Sequence, residues 1–197
     1  MEVPLQNLDR YHVVLASGSP RRRELLSMLG VVFEVCSVDV DETYPPHLEA
    51  EQVAPYLSEL KAMHYCSSMM QPGQLVITAD TVVIAQGQVL GKPHSPEEAR
   101  RMLHLLSGRT HQVVTGVSVA TSEGFRHTFK ATTQVTFAEL SDEEIDFYIE
   151  RYRPMDKAGA YGIQEWIGCI GISGIQGSYY NVMGLPLHRL YTTLRSI

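Results

Sequence analysis

Short apolar runs alternate along this chain with segments whose apolar positions recur every three or four residues, a mixture that predicts both strands and helices. Residues 11–17, YHVVLAS, suit a buried strand, and Ser17-Gly18-Ser19-Pro20 then turns the chain, with Ser19 as N-cap and Pro20 at the first helical position. Leu25, Leu26, Met28 and Leu29 carry the apolar side of the helix that follows. VVFEVCSVDVDE reads as a second strand; after Pro45 and Pro46, a helix from about 51 to 69 carries Val53, Leu57, Leu60 and Met63 on one face.

QLVITADTVVIAQGQVLGKP predicts two strands joined through Gln86-Gly87. SPEEARRMLHLLSG is a helix capped by Ser95, with Glu97 and Glu98 favouring its start and Gly108 its end. HQVVTGVSVATSEGFRHTFKATTQVTFAEL gives two further strands around a Ser-Glu-Gly turn, and Ser141 with Glu144 forms a capping box for SDEEIDFYIERY. The remainder is glycine-rich from Gly159 to Gly184 and ends in a short helix, LPLHRLYTTL. Strands that both alternate with helices and pair as hairpins predict an α/β fold: a mixed β-sheet flanked by helices, with two lobes and a central cleft.

Composition changes this picture little. The 197 residues, 44% hydrophobic and 19% charged, belong to an ordinary globular chain, and one folding unit over 1–197 is the expectation. A net charge of −6 argues against a nucleic-acid coat, so any anionic ligand must be met locally. Cys36, Cys66 and Cys169 are odd in number and lack a C-x-x-C pair, which suggests a reducing compartment. The N-terminal stretch lacks a signal-peptide pattern and no apolar run approaches membrane-spanning length, so a cytoplasmic protein without a membrane partner is expected.

Candidate chemistry begins at Arg21, Arg22 and Arg23, which stand in the first turn of a helix where the backbone dipole repels cations. Each such charge costs roughly 0.3–1 kcal/mol when exposed, which calls for a compensating anion. At about 100° per residue, Arg21 and Arg22 turn toward the apolar side and Arg23 away from it. With the Ser-Gly-Ser turn they could cradle a phosphate just past a strand's C-terminal end; a solvated basic helix start is the plain alternative.

Asp80 interrupts a strand otherwise built of apolar residues and threonine, and a buried carboxylate there needs a cation, a metal or a donor. A two-residue turn at Gln86-Gly87 pairs Ala85 with Gln88, Ile84 with Val89 and Thr81 with Lys92, which brings Lys92 to the level of Asp80. Lys61 lies at the edge of its helix's apolar arc, where surface snorkelling is the commoner explanation. Asp39, Asp41 and Glu42 could hold a hard cation, although a solvated loop is the commoner role for any one of them. The eight histidines show no zinc-ligand spacing, and Trp166, Tyr179 and Tyr180 are expected to pack rather than bind a base.

Eight blocks in order resemble the Maf family of nucleoside triphosphate pyrophosphatases: L-A-S-G-S-P-R-R-R-E-L-L at 15–26, D-V-D-E at 39–42, E-L-K-A at 59–62, T-A-D-T-V-V at 78–83, L-G-K-P at 90–93, L-S-G-R-T-H-Q-V at 106–113, D-K-A-G-A-Y-G-I-Q at 156–164 and G-S-Y-Y-N-V-M-G-L-P at 177–186. The resemblance implies hydrolysis of a nucleoside triphosphate between its α- and β-phosphates with a divalent cation, Mg2+ or Mn2+. It implies Asp80 as catalytic base, Ser17, Arg21, Arg22, Lys61 and Lys92 as phosphate ligands, and Glu42 with Asp80 at the metal. The D-K-A-G-A-Y-G-I-Q form is similar to the branch acting on dTTP and UTP, with Arg21, Thr81 and Gln164 as the specificity positions. The Gln164 amide has the donor and acceptor to match the O4 and N3–H edge of thymine and uracil. The family also implies a homodimer. The competing expectations are a pyrophosphatase for 7-methyl-GTP or a non-canonical purine triphosphate, and a nucleotide-binding regulator of cell division.

Overall fold

The computed structural model describes residues 5–197. Along them run β1 (His12–Ala16), α1 (Pro20–Ser27), β2 (Glu34–Cys36), α2 (Ala50–Ser68), β3 (Gln74–Ala85), β4 (Gln88–Leu90), α3 (Pro96–Leu106), β5 (Thr110–Thr121), β6 (Arg126–Phe137), α4 (Asp142–Tyr152), α5 (Trp166–Gly171), β7 (Ile172–Gln176), α6 (Tyr179–Met183) and α7 (Leu187–Arg195). The strands form one seven-stranded sheet in the order β2-β1-β3-β5-β6-β7, with β4 on β3. β1 pairs in parallel with both β2 and β3, whereas β3 with β4 and β6 with β7 are antiparallel, so the sheet is mixed and flanked by helices. The parallel pairs need crossovers, which α1 and α2 supply. Among the described residues, no helix is long and apolar enough to cross a membrane.

The predicted caps are in place. Ser19 and Ser95 each accept a backbone N–H three residues on, and Ser141 and Glu144 form both halves of the capping box. The hairpin turns where expected: Gln86 and Gly87 have φ of 51° and 76°, the two positive values a type I′ turn requires. Its ladder pairs Ala85 with Gln88, Ile84 with Val89 and Val83 with Leu90. It ends there, so Lys92 stands beyond the strand rather than opposite Thr81.

The chain gathers into two compact units. One holds the described residues up to Asp80 with Thr115–Ala131 and Gly184–Ile197; the other holds Thr81–Val114 and Thr132–Met183. In the first, Val14, Ala16, Tyr65, Val76 and Ala120 pack together. In the second, Leu103 and Leu106 of α3 and Ile145 and Tyr148 of α4 pack with Val135 and Phe137 of β6. Each such side chain, once fully buried, contributes roughly 1.5–3 kcal/mol of hydrophobic stabilisation.

Two further expectations are corrected. β2 is only three residues long, because it forms the sheet's edge and its apolar neighbours are not covered: Val32 is 91% exposed. Met28 and Met63 are 57% and 54% exposed, so the buried faces of α1 and α2 are rotated away from them. In α2 the buried positions are Val53, Leu57, Lys61 and Tyr65, with Ala54, Ser58 and Ala62 beside them. This rotation follows from a close approach. A Cβ on Gly116 of β5 would lie 2.3 Å from the backbone nitrogen of Pro55, so helix and strand touch backbone to backbone there. The glycine-rich stretch holds α5, β7 and α6.

Candidate active site

β1 ends at Ala16, and Ser17 opens the turn into α1. Ser17 is buried and its Oγ accepts from Ser19 N–H at 3.3 Å and from Arg22 Nη1 at 3.4 Å. Arg21 and Arg22 are half-buried while Arg23 is exposed, the division that helical geometry predicts. Arg22 is also committed to protein acceptors: Nη1 donates to the Ala79 carbonyl at 2.8 Å and Nε to the Gly184 carbonyl at 2.9 Å. Desolvation lowers its pKa from the ordinary arginine value, Asp80 opposes that shift, and Arg21 adds to it. The cation at the helix start is thus answered in part by backbone carbonyls. Nothing in the local sequence around Gly184 signals that contact.

Asp80 is half-buried on β3. Its Oδ1 accepts from Lys61 Nζ at 2.7 Å, and the same ammonium lies 2.8 Å from Glu42 Oε1. The partner of Asp80 is therefore Lys61, which is 9% exposed on the inner face of α2, and not a snorkelling surface lysine. The i, i+4 series Val53, Leu57, Lys61, Tyr65 is the sequence signal that could have found it. Hydroxyls set the helix height: Thr78 Oγ1 donates to the Ser58 carbonyl at 2.6 Å, and the Ser58 hydroxyl meets that of Ser118 at 3.0 Å.

Of the acidic cluster, Glu42 joins this centre. Asp41 accepts instead from the Thr43 N–H at 3.1 Å, and Asp39 is exposed. Two carboxylates around one ammonium form a hard oxygen donor pair, the kind with which Mg2+ is commonly held alongside phosphate oxygens and waters. Among the described residues no group of three or more His, Cys, Asp or Glu is placed to hold a metal.

The other predicted positions lie in the second unit. Thr81 follows Asp80 on β3 and is half-buried, Lys92 is exposed just past β4, and Gln164 is exposed between Ile163 and Glu165. Trp166 packs edge-on against Phe147 with ring centroids 4.8 Å apart. Tyr179 and Tyr180, expected to pack, are 40% and 39% exposed.

A serine-glycine turn at a strand's C-terminal end, a cationic helix start and a carboxylate–lysine–carboxylate centre define an α/β protein equipped for a polyanionic ligand. The chain belongs to the Maf family: the family profile described as "Maf-like protein" matches residues 12–197. A Phocaeicola vulgatus protein named dTTP/UTP pyrophosphatase is 57% identical over 98% of this chain and 100% of its own length. Proteins of the same name from Porphyromonas gingivalis and Bacteroides thetaiotaomicron are 58% and 53% identical, over 97% and 98% of this chain and 96% and 100% of theirs. Among solved structures, the Staphylococcus aureus Ham1 protein matches with a TM-score of 0.57 at 18% identity, over 94% of this chain and 98% of that one. A Coxiella burnetii HAM1 protein matches with a TM-score of 0.54 at 16% identity, over 95% and 100%. At such identities these two likenesses speak to the fold alone.

Proposed function

We propose that this protein hydrolyses dTTP and UTP to the monophosphate and pyrophosphate. One observation carries the reading: the buried ammonium of Lys61 held between Asp80 and Glu42, at 2.7 and 2.8 Å. It is supported by the 57% identity to a relative named dTTP/UTP pyrophosphatase.

In this reading Ser17, Arg21, Arg22, Lys61 and Lys92 bind the phosphates of a ligand bearing about four negative charges, because phosphoryl-type transfer is catalysed mainly by positioning and charge stabilisation. Asp80 engages Lys61 through Oδ1. Oδ2 is then the oxygen that accepts the proton of the attacking water, as general base. Glu42 and Asp80 would hold the divalent cation, Mg2+ or Mn2+, which when bound polarises phosphoryl oxygens and lowers the pKa of a coordinated water. Thr81 and Gln164, with Arg21, select the base; the Gln164 amide matches the O4 and N3–H edge that uracil shares with thymine and cytosine lacks. We take the setting to be cytoplasmic, a reading supported by Cys36, Cys66 and Cys169 being free thiols.

Pyrophosphate release measured with Mg2+ on a panel of dTTP, UTP, CTP, 7-methyl-GTP and dITP tests the proposal. The expected result is turnover of dTTP and UTP above the rest, and a loss of about 10²- to 10⁴-fold in kcat for Asp80→Asn. Unchanged turnover by Asp80→Asn, or preference for a purine substrate, would overturn it.

A further inference from the structure

Lys157 carries a charge that the proposed chemistry does not use, yet only 8% of the residue is exposed. Its Nζ lies 2.7 Å from Asp156 Oδ1 and 3.0 Å from Glu165 Oε1. The Asp156 side chain is 57% exposed and that of Glu165 18%, so the arm to Glu165 is the one that solvent screens less. On the other oxygen of Glu165, the Tyr148 hydroxyl donates from α4. The same hydroxyl accepts from Gly162 N–H at 3.0 Å. Tyr148 is fully buried, and burial followed by its bond to Glu165 raises its pKa above the ordinary tyrosine value, which keeps it a donor.

These bonds close the segment from 157 to 165 into a ring anchored on α4. The ring is tightly filled. A Cβ on Gly162 would come within 2.9 Å of Glu165 Cδ and 3.0 Å of Lys157 Cε. Gln164 lies inside it, exposed, between buried Ile163 and braced Glu165. A buried ion pair adds little net stability once desolvation is counted, and its best-attested use is to enforce one arrangement over others. An amide can discriminate between bases only when its oxygen and its NH2 are held the right way round, so a glutamine on a loose loop would lose selectivity.

We propose that Lys157, Glu165 and Tyr148 are positioning residues that hold Gln164 in register for base recognition, so that pyrimidine selectivity is set by a network that does not touch the base. This inference rests on the reading of Gln164 given above.

The experiment measures kcat and KM for UTP and CTP in Gln164→Ala, Glu165→Gln, Lys157→Met and Tyr148→Phe, and in the double variant Gln164→Ala/Glu165→Gln. Gln164→Ala should cut the UTP-over-CTP ratio of kcat/KM by about tenfold or more. Each brace variant should cut it by about three- to tenfold through KM for UTP, with kcat little changed, and the double variant should fall no further than Gln164→Ala. Lys157→Met risks misfolding; Tyr148→Phe keeps the ring buried and the ion pair intact, and its thermal unfolding midpoint checks the fold. If Gln164→Ala lowers the ratio while the folded brace variants lose activity equally on both nucleotides, the brace is structural only and the inference falls. If Gln164→Ala leaves the ratio unchanged, the base reading itself fails and takes the brace with it.

Discussion

Lys61 on α2 and Asp80 on β3 meet at 2.7 Å with 11% and 13% of their side chains exposed, while Glu42, the second carboxylate on the same ammonium, is 48% exposed. The two arms should therefore differ in weight. Removing one member of a buried pair strands the other, at about 3–5 kcal/mol, whereas an exposed arm is worth about 0–1 kcal/mol. Lys61→Met should lower the urea unfolding free energy by several times more than Glu42→Gln, yet both should depress pyrophosphate release. Equal unfolding costs would show that the Asp80 arm has no special weight.

Arg22 supplies a fork that lysine cannot. Its Nη1 and Nε reach the carbonyls of Ala79 and Gly184 at 2.8 and 2.9 Å, in the geometry of a planar guanidinium. Arg22→Lys should leave one of these carbonyls without its donor and cost about 1–3 kcal/mol. Urea titration gives the number, and an unchanged midpoint would remove Arg22 as a strut of the site.

Gly116 tests how α2 is seated. The added methyl of Gly116→Ala would sit 2.3–2.4 Å from the backbone of Ala54 and Pro55, which cannot swing aside as a side chain can. Displacing the helix to make room should cost at least the roughly 1–3 kcal/mol of an overpacked core. Turnover should fall as well, since Lys61 rides on the same helix. A variant with wild-type thermal stability and turnover would contradict the backbone contact.

His111 sets a pH dependence in the second unit. It is 3% exposed, its Nε2 is 2.7 Å from the Tyr161 hydroxyl, and its buried Nδ1 has no hydrogen-bond partner among the described residues. Burial lowers its pKa from 6.5 to about 4. Between those values the unfolded chain binds a proton that the folded one does not, so this histidine's contribution is complete above pH 6.5 and is lost as pH falls toward about 4. The full term is on the order of 3 kcal/mol. His111→Gln, which keeps a polar partner for Tyr161 but does not titrate, should show a shallower fall in unfolding free energy from pH 7 to 4.5 than the wild type. Parallel curves would refute the assignment.

Features that depend on a residue and its near neighbours are legible in the chain itself. The caps at Ser19, Ser95 and Ser141, the Gln86-Gly87 turn and the inward turn of Arg21 and Arg22 are of this kind, because a side chain reaching its own backbone, or a φ value, is decided within a few residues. Asp80 stands out for the same reason, as a carboxylate that its strand could not leave unpaired. The choice of its partner is not local. Register alone points to Lys92, but the cation that arrives is Lys61, because the rotation of α2 follows from the Gly116 contact and from the bonds of the Ser58 hydroxyl to Ser118 and of the Thr78 hydroxyl to the Ser58 carbonyl, made by residues far apart in the chain. The carbonyls that answer Arg22, the short edge strand β2 and the closed ring around Gln164 belong to the same group. Their energies come from contacts that exist only once distant segments have packed, and no periodicity along the chain encodes which surfaces will meet.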